Sequence, residues 1–214
     1  MTEGTRAGVF ITFEGGEGGG KSTQCRLLAE GLRAAGYEVV LTREPGGTPE
    51  AEEIRALLLS GAPEKWSPMA ETLLFFAART LHLERKIRPA LAAGQIVICD
   101  RFVDSTRAYQ GAAGGVSLDD IAALTRMVVG TTMPDLTFYL DIDPEVGLAR
   151  AGRLGPADRF ESRKLSFHRE LRTAFQELAL ECSDRIEIVN AHLPADDLAY
   201  LIRQKVENRL AEQY

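Results

Sequence analysis

The stretch VFITFEGGEGGGKST, residues 9–23, decides the fold. Its first five residues are apolar, aromatic or β-branched, which reads as a strand buried on both faces. The glycine run that follows contains Gly15-x-x-x-x-Gly20-Lys21-Ser22, and a helical pattern begins near Ser22. Strand, glycine loop and helix in that order make a phosphate-binding loop. Gly15, Gly16, Gly18, Gly19 and Gly20 let successive N–H groups converge on a nucleotide's phosphates, and the helix N-terminus adds its partial positive charge. Lys21 spans β and γ oxygens, Ser22 offers a hydroxyl to Mg²⁺, and Thr23 belongs to the same nucleotide-binding set. Glu17 puts a negative charge inside this anion-binding loop, and the loop alone does not say why.

Four more apolar runs lie further along: YEVVL at 37–41, QIVIC at 95–99, LTFYL at 136–140 and IEIV at 186–189. Longer helical patterns separate them. That alternation predicts an α/β fold, a five-stranded parallel sheet with helices on both faces, whose ligands collect along the edge at the strands' carboxyl ends. The pattern from Met69 to Ile87 predicts one long helix, with Met69, Leu73, Phe76, Leu83 and Ile87 on its core face and Phe75, Arg79, His82 and Lys86 as a second stripe. Pro89 should kink or end it. The segment AGRLGPADR, 151–159, breaks the helical pattern with glycines and a proline and reads as a mobile loop.

The chain has 214 residues, 45% of them hydrophobic, enough for one domain with a real core. A net charge of −6 and a pI near 5.2 argue against a partner that is nucleic acid. Cys25, Cys99 and Cys182 show no CxxC spacing, which fits a reducing, cytoplasmic setting with buried apolar thiols. Neither a signal-peptide core in MTEGTRAG nor an apolar run of membrane-spanning length is present, so no membrane is expected.

Neither DxxG nor NKxD occurs, which argues against a guanine-specific switch. Asp100 follows the third apolar run, where a phosphate-loop enzyme keeps an acid for the Mg²⁺ water shell. Arg43 and Arg101 each follow a strand and Arg55 follows the TREPGGTP loop, so three arginines border one sheet edge and offer a second anion site.

These strings together resemble the thymidylate kinase family, in order and over nearly the whole length. FEGGEGGGKST looks like its phosphate loop, TREPGGTP its second-strand loop, LLFFAAR its base-binding helix, DRFVDSTRAYQG its DR segment and AGRLGPADRFE its lid. The resemblance implies one domain over 1–214 of the nucleoside monophosphate kinase type, with a lid at about 150–161. It implies transfer of a phosphoryl group from ATP to dTMP with Mg²⁺, and a homodimer. Glu17 then faces the acceptor's 3′-hydroxyl and, through water, the metal, while Ser22 and Asp100 sit by the metal. Phe75 stacks on thymine with Pro45 beside its methyl, and Arg79 bonds its polar edge. Arg101 holds the acceptor phosphate with help from Arg55, Arg43 belongs to the substrate-binding set, and Ser105, Thr106, Tyr109 and Gln110 line the nucleoside. Because Gly18 and Gly19 follow Glu17, a lid arginine must neutralise the transferring charge. Arg150, Arg153 and Arg159 are candidates, with Arg153 the first choice and Arg150 placed at the ATP. Asp158, Phe160 and Glu161 match the lid's acceptor-proximal positions. A kinase for another small acceptor, or an ATP-binding regulator without acceptor, remains open at this point.

Overall fold

The computed structural model describes residues 8–62, 64–153 and 159–212. Residues 1–7, which include most of the segment read for a signal peptide, and 154–158, which include Asp158 of the lid, lie outside them.

The five expected runs become β1 (Val9–Glu14), β2 (Val39–Arg43), β3 (Ile96–Asp100), β4 (Leu136–Asp141) and β5 (Ile186–Asn190). All pairings are parallel, in the order β2-β3-β1-β4-β5. β1 is wholly buried, as expected, but the edge strands β2 and β5 keep partly exposed residues, because each has a neighbour on one side only.

The helices are α1 (Lys21–Ala34), α2 (Pro49–Leu59), α3 (Pro68–His82), α4 (Arg88–Ala92), α5 (Val103–Thr106), α6 (Leu118–Val128), α7 (Pro144–Ala151), α8 (Leu165–Glu181) and α9 (Ala195–Glu212). Val9, Ile11 and Phe13 pack with α1 and α9 on one face of the sheet, while Phe10 meets Phe76, Val97 and Phe102 on the other. This is the period-2 alternation of a strand covered on both sides. Thr48 and Ser67 cap α2 and α3, each accepting a backbone N–H and each followed by a proline at the first helical position.

Two expectations for the long helix are corrected. Met69 and Leu73, assigned to the core face, are 38% and 49% exposed, whereas Phe76, Leu83 and Ile87 are buried. At the level of Met69 and Leu73 the buried residues are Glu71 and Thr72, and further along Arg79 and His82 of the second stripe are buried beside Phe76, Leu83 and Ile87. Nor does the helix end before Pro89. It passes through a π-helical turn, Leu83–Ile87, into α4, where proline occupies the first turn and needs no intrahelical N–H partner. A second π-helical turn, Arg107–Ala112, continues α5.

Candidate active site

β1 delivers the glycine loop and α1 starts at Lys21, one residue before the expected start. Gly18 has a left-handed φ of 65°, and a Cβ there would overlap the carbonyl of Gly147 on α7. Only glycine allows this backbone-on-backbone approach. The Lys21 ammonium donates to the Gly16 carbonyl at 2.6 Å; burial and the nearby Arg101 lower its pKa. Ser22 Oγ donates to Asp100 Oδ2 at 2.5 Å, which joins the loop to the end of β3.

Glu17 turns away from the loop's amides. Its Oε1 accepts from Arg101 Nη2 at 2.8 Å and from the Tyr109 hydroxyl at 2.6 Å. Burial alone would push its pKa up, but Arg101, Lys21 and the Tyr109 hydrogen bond together bring it down to about 2. An anion-binding loop tolerates this carboxylate because the charge is spent on the opposite side.

Arg101 has a left-handed backbone, φ 68°, unusual for a residue with a side chain and costing on the order of 1–3 kcal/mol. The twist is held by its N–H donating to Phe13 O at 2.9 Å, and it brings the guanidinium under the loop. There it donates to Gly15 O at 2.8 Å and Ser105 Oγ at 3.2 Å and lies 4.9 Å from the Tyr109 ring centre. Beneath it Glu14 accepts from Phe102 N at 2.8 Å and Ser105 Oγ at 2.5 Å. Burial and the neighbouring Asp104 push the Glu14 pKa up to about 7.

A cavity of about 380 Å³ opens beside these groups. It gathers most of the expected set: Glu17, Gly18, Gly20, Lys21, Ser22 and Thr23 from the loop, and Arg43, Pro45 and Arg55 from the second-strand region. Phe75 and Arg79 of α3, Asp100 and Arg101 after β3, Ser105, Thr106, Tyr109 and Gln110, and Phe160 of the lid complete it. Arg55 donates to Pro45 O at 2.8 Å and Arg43 pairs with Glu52 at 3.1 Å, so both are held near the rim. Gly15, Gly16, Gly19, Arg150 and Arg153 do not line this cavity.

The lid arginines separate. Arg150 donates to Ala191 O at 2.9 Å, just past β5. Arg153 is exposed beyond α7. Arg159 is buried, donating to Leu58 O at 2.8 Å and to Glu71.

Arg79 is 1% exposed. Its Nε donates to Glu44 at 2.8 Å, and its Nη2 to Phe102 O at 3.2 Å and Thr106 Oγ1 at 2.9 Å. Its Nη1 has no hydrogen-bond partner. Glu44 also holds His82 Nδ1 at 3.0 Å, and His82 Nε2 meets Thr42 Oγ1 at 2.7 Å. Lys86 Nζ donates to Gly47 O at 3.2 Å. The second stripe of the helix therefore fastens the TREPGGTP loop. Glu14, Glu44, Glu71 and His82 were not singled out as site-building residues by sequence, although Glu14 and Glu44 stand inside quoted motifs. Their position after a strand's last apolar residue was the available signal.

Ser22 and Asp100 supply a sparse, all-oxygen donor set. Among the described residues no group of three or more His, Cys, Asp or Glu could hold a metal by itself. Such a set suits Mg²⁺, which keeps most of its waters and takes its other oxygens from nucleotide phosphates.

Residues 13–202 match the sequence profile of the thymidylate kinase family. The chain is 54% identical to the thymidylate kinase of Caulobacter vibrioides over 203 residues, which cover 95% of this chain and 98% of that one. It is 54% identical to the thymidylate kinase of Ruegeria pomeroyi over 193 residues, covering 90% and 91%. The crystal structure of thymidylate kinase from Ehrlichia chaffeensis superposes with a TM-score of 0.78 at 34% identity, covering 94% of this chain and 99% of that one.

Proposed function

The chain belongs to the thymidylate kinase family, and on that premise we propose how its cavity carries the reaction. It transfers a phosphoryl group from ATP to dTMP, giving dTDP and ADP.

The observation that carries the assignment of the acceptor side is Arg79. A buried guanidinium clamped on three contacts and left with one unpartnered nitrogen is a donor set aside for a ligand. Beside the Phe75 ring it suits a planar base with a carbonyl on its edge. Arg101 and Arg55, with Arg43 at the rim, take the acceptor phosphate. Glu17 takes the sugar's 3′-hydroxyl, and Tyr109, tied to Glu17, crowds a 2′-hydroxyl.

Lys21 and the loop amides hold the ATP phosphates, and Ser22 and Asp100 hold Mg²⁺, which when bound offsets charge on the phosphates. The protein then acts by positioning and charge neutralisation, with Arg153 brought in by the lid. An acceptor phosphate is already largely ionised near neutral pH, so no general base is assigned. Closure of the lid excludes water and suppresses hydrolysis.

The exposed apolar residues Leu57, Met69, Leu73, Leu118 and Met127 lie on α2, α3 and α6, which supports a second copy of the chain as their cover. No helix among the described residues is long and apolar enough to cross a membrane, and a cytoplasmic setting is part of this proposal.

The test is ADP release from Mg-ATP with dTMP, dUMP, dCMP, UMP, GMP, AMP and thymidine offered separately. Strong preference for dTMP with weak use of dUMP is expected. Equal background hydrolysis with every acceptor refutes the acceptor assignment.

A further inference from the structure

Three buried side chains, Arg159, Glu71 and Gln110, meet behind the cavity wall. Arg159 lies on the carboxyl-side arm of the lid and donates to Glu71 Oε2. The other oxygen of Glu71, Oε1, accepts from Gln110 Nε2 at 2.8 Å. Glu71 stands in the first turn of α3, Gln110 in the π-helical turn after α5, and Arg159 far along the chain from both.

The chemistry of this chain of contacts fixes a direction. A carboxylate paired with a guanidinium accepts at both oxygens and donates at neither. Gln110 must therefore turn its NH₂ toward Glu71. With one N–H spent on Glu71, the amide's carbonyl oxygen, an acceptor, lies on the side away from that carboxylate, in the wall of the cavity that Gln110 lines. A glutamine free to rotate could offer either end.

We propose that Glu71 is a specificity-determining positioning residue: by fixing the amide of Gln110 through one oxygen while Arg159 holds the other, it makes Gln110 an obligate acceptor for the base. Thymine and uracil carry a donor at N3, whereas cytosine carries an acceptor there, so a fixed acceptor favours the first two and opposes the third. The inference rests on the reading of this cavity as the site of the dTMP base. It also ties base selection to the lid, because the residue after Arg159 is Phe160. That ring packs 6.0 Å from Phe75 and 5.9 Å from Tyr109, centre to centre, so the arm that locks Glu71 also completes the cavity's aromatic wall.

The experiment compares kcat/KM for dTMP, dUMP and dCMP in the unaltered protein and in Glu71→Gln. A glutamine at 71 can itself donate to Gln110 and so permits the reversed amide. The dTMP-to-dCMP ratio should fall by roughly tenfold or more, since a site built to pair a polar group discriminates strongly against its absence. The dTMP-to-dUMP ratio should stay within about twofold, because both bases share the N3 donor. A purely structural role for Glu71 lowers all three acceptors in parallel, and an unchanged dTMP-to-dCMP ratio in a folded variant overturns the proposal. If the variant does not fold, the side-chain amide protons of Gln110 in the unaltered protein decide. Slow exchange with solvent, with and without dTMP, supports the lock, and fast exchange overturns it. Failure of the acceptor reading itself is seen separately, as absence of dTMP preference in the unaltered protein.

Discussion

Replacing Arg79 by methionine separates two jobs that one guanidinium performs. The substitution keeps most of the side chain's volume but removes the partner of a carboxylate whose side chain is 3% exposed. Breaking a buried pair by removing one member costs about 3–5 kcal/mol, because the remaining charge is left uncompensated. For a chain of this size that lowers Tm by about 6–20 °C. The second job is the unpartnered Nη1. Losing one hydrogen bond from a charged donor to the base costs about 1.5–3 kcal/mol, a fall of about 10- to 150-fold in kcat/KM for dTMP, carried mainly by KM. The double variant Arg79→Met with Glu44→Gln should recover part of the stability, since no carboxylate is then orphaned, but none of the acceptor affinity. Thermal unfolding by circular dichroism and a coupled ADP assay on the three proteins read the two effects. Recovery of dTMP KM in the double variant would refute the direct contact and make Arg79 a structural residue only.

Arg153→Ala should lower kcat by about 10²–10³-fold with little change in either KM, as removal of a group acting on the transition state does; a KM effect alone contradicts that role. Gly147→Ala places a Cβ against the Glu17 carbonyl, so it should raise the KM for both ATP and dTMP, since Glu17 joins the phosphate loop to the acceptor side; two unchanged KM values refute the close packing. Asp141 provides a pH signature. Burial pushes its pKa up, but hydrogen bonds from Arg172 and Tyr139 outweigh burial and hold it below the ordinary carboxylate value. A depressed folded pKa stabilises above the unfolded value of about 4, and that stability is lost as pH falls through the folded pKa, so Asp141→Asn should be destabilised at pH 7 by an amount that shrinks steadily as the pH is lowered below about 4 in thermal unfolding; a difference independent of pH refutes it. With dUMP, kcat/KM should be about 10- to 200-fold lower than with dTMP, the worth of one methyl in an apolar pocket.

The strands and the phosphate loop were legible because their signals are local. An apolar run and a glycine spacing are complete within fifteen residues, and the structure places β1, Gly15 and Lys21 where those signals put them. The orientation of α3 was only partly legible. Phe76, Leu83 and Ile87 are buried as their spacing predicts, but Arg79 and His82 of the second stripe are buried as well, because Glu44, 35 residues from Arg79, pairs with both. Local periodicity cannot weigh a charge against a partner contributed by another loop. The surroundings of Arg159 were hidden for the same reason. Three arginines near a lid look alike in sequence, and only the fold brings Glu71 and the Leu58 carbonyl to one of them. The acidic residue in the phosphate loop was readable only by resemblance, since its partners Arg101 and Tyr109 lie more than eighty positions on.

The two π-helical turns have a consequence for insertions and deletions. Each holds one residue more than an α-helix would need to reach the same neighbours, so each is a place where the chain's length and its helical phase are out of step. Deleting one residue between 107 and 112 would let the helix close into regular α form with the chain beyond the cut still in phase, so the change falls on the turn itself. Tyr109 and Gln110 could not then both face the cavity. At these two turns the fold absorbs the loss of one codon, and what a deletion between 107 and 112 removes is the cavity wall and not the helix.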